Sequence, residues 1–189
     1  MARPRSEAAR AKALGAATDL VLTAGVRGFS VDEVVRRSGV AKTTIYRHFS
    51  SGNELMLAAL SCTIAPFSTP DTGSLRSDLI EFANETLPMI ADPLLRPVML
   101  EILAAAARDD ELRELHAAVV REKMTPLRVI YERAQERGEA DPALDFDRAF
   151  DLIEGPFMAR WLMRPDMLQM LDVAALVDRI VVGLAAKTN

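Results

Sequence analysis

A chain of 189 residues, half of them hydrophobic, is long enough to bury a sizeable core in one or two small domains. No apolar run approaches the ~20 residues that a membrane-spanning helix needs, and the basic start Met1–Arg10 lacks the apolar stretch of a signal peptide. The net charge of −4 hides a division: residues 1–60 carry nine Lys/Arg against five Asp/Glu and the rest of the chain is acidic, which suits a basic head that meets a polyanion.

No stretch alternates apolar and polar residues as a strand does, so the chain reads as all-α, with about nine helices. The first helix is expected from about residue 6 to 24, with Leu14, Ala17, Val21 and Ala24 on one face and Gly25 and Gly28 ending it. Ser30 and Glu33 form a capping box that opens a short helix carrying Val31, Val34 and Val35. Ser38-Gly39 stops it, because glycine tolerates the left-handed turn that ends a helix. A second short helix buries Ile45 and Phe49, four apart, and turns Lys42, Thr43, Thr44, Tyr46, Arg47 and His48 outward. Ser51 and Glu54 repeat the capping box and open the next helix, from Gly52 to about Ala65. Helix, glycine turn and a helix with a donor-rich face form the layout of a helix-turn-helix, whose second helix enters the DNA major groove.

Pro66 to Gly73 is the clearest break beyond it, although the DNA-binding part itself is assigned to residues 1–52 and the regulatory and dimerising part to 53–189. Helices are then expected over about 74–90, from Asp92-Pro93 to about Ala107, and from Asp109 to Arg137, where Gly138 ends the last. Pro126 falls inside that third helix and predicts a kink or a split. Asp141-Pro142 begins a turn, a helix covers about 145–164, Pro165 breaks it, and Asp172 caps a final helix. Leu176, Ile180 and Leu184 form a stripe on it that, with Phe157, is expected to meet a second copy of the chain. Met99 and Leu103, His116 beyond them, and Trp161 are the candidates for a ligand cavity made roomier by the kink.

Two parts of the sequence resemble the TetR family of bacterial transcriptional regulators. Gly39-Val40, Thr44-Ile45-Tyr46, His48-Phe49 and Glu54-Leu55 carry the resemblance over residues 8–60. Arg137-Gly138-Glu139, Asp141-Pro142 and Gly155-Pro156-Phe157 leading to Arg160 carry a looser one in the C-terminal half. The chain departs from the family's habits at Gly52, usually a lysine, at Val35, often an alanine, and at Met158 and Ala159, commonly aromatic. The resemblance implies dimerisation through the last two helices and a ligand cavity among the middle ones.

The implied activity is that of a ligand-responsive regulator: a homodimer that represses by binding a pseudo-palindromic operator and is released by a small-molecule effector. Lys42 and Thr43, at the N-terminal end of the reading helix, are placed to meet base edges. Thr44, Tyr46, Arg47 and His48 are placed to meet phosphates, with Ser30 joining them from the preceding helix. A solvated polar helix face is the plainer reading of the same residues. A helical enzyme or carrier, and an architectural DNA binder without ligand response, are the competing classes. His48 has no second ligand at helical spacing, so neither metal nor catalytic residue is assigned, and no cofactor is expected. A single cysteine, Cys62, fits the reducing cytoplasm and is expected to be half-buried. Met163, Met167 and Met170 are expected to pack at the last helix connection.

Overall fold

The structure is a computed structural model and describes residues 3–168 and 170–186. Among them there are ten α-helices and no strand: α1 (Arg3–Ala24), α2 (Val31–Ser38), α3 (Lys42–His48), α4 (Gly52–Ser61), α5 (Leu75–Ile90), α6 (Leu95–Ala106), α7 (Asp110–Lys123), α8 (Thr125–Glu136), α9 (Phe146–Met163) and α10 (Val173–Leu184). A single 3-10 turn, Pro165–Met167, stands between the last two. Six of these starts are closed by a side-chain oxygen accepting a backbone N–H in the first turn: Ser30, Ser51, Ser74, Asp109, Asp145 and Asp172.

Pro126 splits the expected long helix. α7 stops at Lys123, Met124 leaves the helical conformation, and α8 restarts with Pro126 in its first turn. There a missing N–H costs nothing, because the first N–H groups of a helix have no internal acceptor.

The chain divides into two compact units. One comprises Met1–Ala65 with Pro93–Glu122, the other Pro66–Asp92 with Lys123–Asn189. Thus α6 and α7 pack with α1–α4 although α5 precedes them in the chain. Two apolar clusters hold the first unit. Ala17, Leu20, Val34, Ile45, Phe49 and Leu55 join α1, α2, α3 and α4, while Val21, Met56 and Leu60 meet Val98, Ile102 and Leu112 of α6 and α7. Burial of the larger side chains among these contributes about 1.5–3 kcal/mol each.

The second unit packs α5, α8, α9 and α10 around Leu79, Phe82, Ile130, Tyr131, Ile153 and Val177. The Arg137-Gly138-Glu139 segment secures its N-terminal corner. Gly138 takes φ 75°, open to glycine at no steric cost. Glu139 can then accept the backbone N–H of Leu75 at 2.5 Å, at the start of α5. Arg137 reaches Asp78, fully buried on α5, at 3.3 Å. The same carboxylate accepts the N–H and the hydroxyl of Thr72, at 2.7 and 2.6 Å. Asp141-Pro142 is pinned in turn: Gln135 donates to the Asp141 carbonyl at 2.9 Å and Tyr131 to that of Leu144 at 2.9 Å.

Phe157, Ile180 and Leu184 belong to this core, at 5%, 6% and 0% exposure, and Leu176 is partly buried against it. The expectation that Phe157, Ile180 and Leu184 face a second copy therefore gives way, while Leu176 keeps part of its surface. Their helical stripe is satisfied within the chain, and a side chain already covered has no surface to offer. The exposed apolar residues of the same helices are Leu152, Met158 and Leu162 on α9 and Val182 on α10. Met163 and Met170 are also exposed rather than packed, and the side chain of Met167 lies outside the described residues.

Candidate nucleic-acid interface

The head is built around one glycine and one apolar pair. Gly39 takes φ 66° and donates its N–H to the Val35 carbonyl at 2.9 Å, closing α2. Ser38 Oγ accepts the N–H of Val40 at 3.1 Å, and the turn then delivers the chain into α3. Ile45 and Phe49, both buried, anchor α3 against α1 and α4. Residues four apart share a helix face, so burial of this pair turns Thr43 and Arg47 to the opposite side. Lys42, Thr43, Tyr46 and Arg47 are exposed, and Thr44 and His48 are half-buried at the flanks. Six of the seven residues expected at DNA thus lie on one short helix. Ser30 lies apart, at the start of α2, where its oxygen accepts the Glu33 N–H at 3.2 Å.

The exposed side chains differ in how far they are already engaged. Lys42 Nζ lies 2.7 Å from Asp32 Oδ1, and that hydrogen bond holds the ammonium above the usual lysine range. Glu33 accepts from both Arg36 and Arg37, whose hydrogen bonds bring its carboxyl down to about 2. Both guanidinium groups of α2 are thus engaged by one carboxylate, which matches half of their charge. Arg47 has no partner among the described residues. A Tyr46 hydroxyl, an Arg47 guanidinium and the Thr43 hydroxyl on one exposed face, with the Thr44 hydroxyl at its flank, are groups that can donate to phosphate oxygens and base edges. His48 shares a hydrogen bond of 2.9 Å with the Ser6 hydroxyl near the start of α1, leaving one ring nitrogen for another partner. Asp32 and Ser6 carry no motif in the sequence, because each meets α3 only once the helices are packed.

The remaining candidates are dispersed. Met99 and Leu103 are half-buried on α6 and His116 on α7, all in the first unit. His116 Nε2 is inaccessible and has no hydrogen-bond partner among the described residues, and burial pushes the imidazole below its ordinary value. Trp161 belongs to the second unit, buried, with its indole N–H donated to the Ile90 carbonyl at 2.6 Å. Cys62, expected to be half-buried, is exposed at the end of α4. Among the described residues no group of three or more His, Cys, Asp or Glu is placed to hold a metal ion, and no helix is long and apolar enough to cross a membrane.

Comparison with known proteins accounts for both halves of the chain. Residues 13–59 match the model of the bacterial regulatory proteins of the tetR family, and residues 69–180 match that of the tetracyclin repressor-like C-terminal domain. The chain is 29% identical over 186 residues to the HTH-type transcriptional regulator YdeS of Bacillus subtilis, covering 97% of this chain and 93% of the relative. It is 31% identical over 156 residues to the DNA-binding transcriptional repressor TetR of Mycobacteroides abscessus, covering 79% and 80%. The solved TetR family transcription regulator SCO0332 superimposes with a TM-score of 0.71 at 28% identity, over 94% of this chain and 99% of that one. Bacillus subtilis FadR, solved in complex with stearoyl-CoA, shares the fold with a TM-score of 0.64 at 20% identity, over 94% and 98%. With a packed helix-turn-helix at one end and a matching helical domain over most of the rest, this chain belongs to the TetR family of DNA-binding transcriptional regulators.

Proposed function

We propose that this protein is a ligand-responsive repressor. It binds a pseudo-palindromic operator in the cytoplasm as a homodimer and leaves it when a small-molecule effector binds. The observation that carries the reading is the outer face of α3, where Lys42, Thr43, Tyr46 and Arg47 stand exposed around a buried Ile45–Phe49 anchor. One such helix of seven residues reads too few base pairs for strong selectivity. Two of them, spaced by a two-fold axis to match the ~34–36 Å groove repeat, read a divided site. Residues 1–52 are assigned to DNA binding and 53–189 to regulation and dimerisation. Leu152, Met158, Leu162 and Val182 are assigned to the two-fold contact.

Support for an effector comes from the first unit. A buried imidazole nitrogen without a partner is an uncommon cost that a ligand's hydrogen-bonding group would relieve. Met99 and Leu103 of α6 are the apolar residues assigned to the same ligand. An effector releases DNA only by its differential affinity for the free and operator-bound conformations.

Gel mobility shift on fragments from the protein's own genome tests the reading. A subset of fragments is expected to shift, and compounds that raise thermal stability are expected to release them. No shifted fragment would remove the regulator reading, and shifts insensitive to every stabilising compound would remove the effector.

A further inference from the structure

The helix-turn-helix is held at both of its chain ends by α6 and α7, through two polar clamps. At its entry, the turn after α1 places the Val26 N–H 2.7 Å from Glu101 Oε2 on α6. Gly25 makes that approach possible: it takes φ 70°, and a Cβ at this position would lie 2.7 Å from the same carboxylate oxygen. At its exit, Asn53 in the first turn of α4 donates from Nδ2 to Asp109 Oδ2 at 3.1 Å and to Glu111 Oε2 at 2.8 Å, at the start of α7. The other Asp109 oxygen accepts the Leu112 N–H at 3.0 Å, so this carboxylate also opens α7. Between the clamps runs the apolar seam of Val21, Met56 and Leu60 against Val98, Ile102 and Leu112.

Apolar packing resists separation but is non-directional, so the seam alone leaves the helices some freedom to slide and turn. Hydrogen bonds have preferred distances and angles. One at residue 26 and another at residue 53 flank α2 and α3 and define their orientation on α6 and α7. We propose that Glu101 and Asn53 are positioning residues for operator recognition: they orient the reading helix on α6–α7 and so set the half-site spacing that the dimer accepts. Neither residue touches DNA in this scheme. Each acts by restricting how far the head swings, and so on discrimination among operators more than on affinity for DNA as such.

The inference rests on operator binding by a dimer. Its test begins with a fragment enriched from random DNA by the wild-type protein, and the same fragment with base pairs inserted at its centre. The wild type prefers the uninserted fragment. Glu101→Ala and Asn53→Asp, the second setting a third carboxylate beside Asp109 and Glu111, are each expected to reduce that preference about tenfold. The loss comes from weaker binding to the uninserted fragment, with binding to the inserted one unchanged. Glu101→Gln retains an oxygen for the Val26 N–H and is expected to restore the wild-type preference. Thermal unfolding separates positioning from stability, since a loss of folded protein lowers both affinities together. An unchanged preference in both clamp variants, or an equal fall on both fragments, would overturn the inference while leaving the regulator intact. A wild type that enriches no fragment would overturn both.

Discussion

At the scale of single residues, the proposed DNA contact of Lys42 has to compete with its ion pair to Asp32. Both partners are exposed, and an exposed ion pair contributes little. A phosphate or a guanine edge can therefore take Lys42 from Asp32 at little cost, after which Asp32 is left as an unmatched negative charge beside DNA. Asp32→Asn is expected to tighten operator binding several-fold at low salt, with the gain shrinking as salt screens the repulsion. Lys42→Ala and Tyr46→Ala are expected to weaken binding, by about 1–3 kcal/mol where a base contact is lost. If Lys42 meets a phosphate instead, its loss flattens the salt dependence by about one counterion. Titrations at two salt concentrations check all three variants, and unchanged affinity in both alanine variants would remove α3 from the interface.

At the scale of helices, two carboxyls on the second unit lead to opposite predictions. Asp78 is fully buried but well supplied, with Thr72 and Arg137 as partners. Removing Arg137 leaves the charge without its cation, so Arg137→Ala is expected to destabilise the fold by about 3–5 kcal/mol, read by denaturant unfolding. A loss below about 1 kcal/mol would mean that the Thr72 bonds suffice.

Glu154 on α9 is half-buried without a partner among the described residues, and desolvation raises its carboxyl from 4.5 to about 7. The folded chain thus keeps a proton that the unfolded chain releases. Stability from this group is full below pH 4.5 and is lost as pH rises through 7. Glu154→Gln is expected to match the wild type near pH 4.5 and to exceed it progressively toward pH 7.5. The shift corresponds to an upper bound of roughly 3.5 kcal/mol at ~1.4 kcal/mol per pH unit. Melting temperatures across that range that run parallel for the two proteins would refute the assignment.

At the scale of the whole molecule, α9 presents apolar side chains on both sides. Ile153, Phe157 and Trp161 are buried, while Leu152, Met158 and Leu162 are 44%, 40% and 52% exposed. Burying a charge without a partner is expensive, so the same substitution should act differently on each side. Leu162→Glu is expected to give a folded monomer. Ile180→Glu, in the core of the chain itself, is expected to unfold it. Sedimentation together with circular dichroism distinguishes these results. A wild type that is monomeric at micromolar concentration would remove the two-fold contact, and a Leu162→Glu protein that remains dimeric would place it elsewhere.

The sequence by itself determined what depends on residues a few positions apart. The serine caps at Ser30 and Ser51, the glycine turn at Gly39, the Ile45–Phe49 anchor and the helix break at Pro126 each follow from contacts within one or two turns of chain, whereas the carboxylates expected to complete the two capping boxes are taken by Arg36 and Arg37 and by Ser50. The reading helix and its outward side chains were legible for that reason. Tertiary structure alone decided what depends on which helices meet. His48 finds Ser6, Asn53 finds Asp109 and Glu111, and Val26 finds Glu101 only because the chain folds back across 42, 56, 58 and 75 positions. The same limit misassigned the stripe of Ile180 and Leu184. Helical spacing of apolar residues shows that a face is buried, but the burial energy is non-directional and gives the same pattern for a core and an interface. Only the packed helices separate Phe157, turned inward, from Met158, its exposed neighbour.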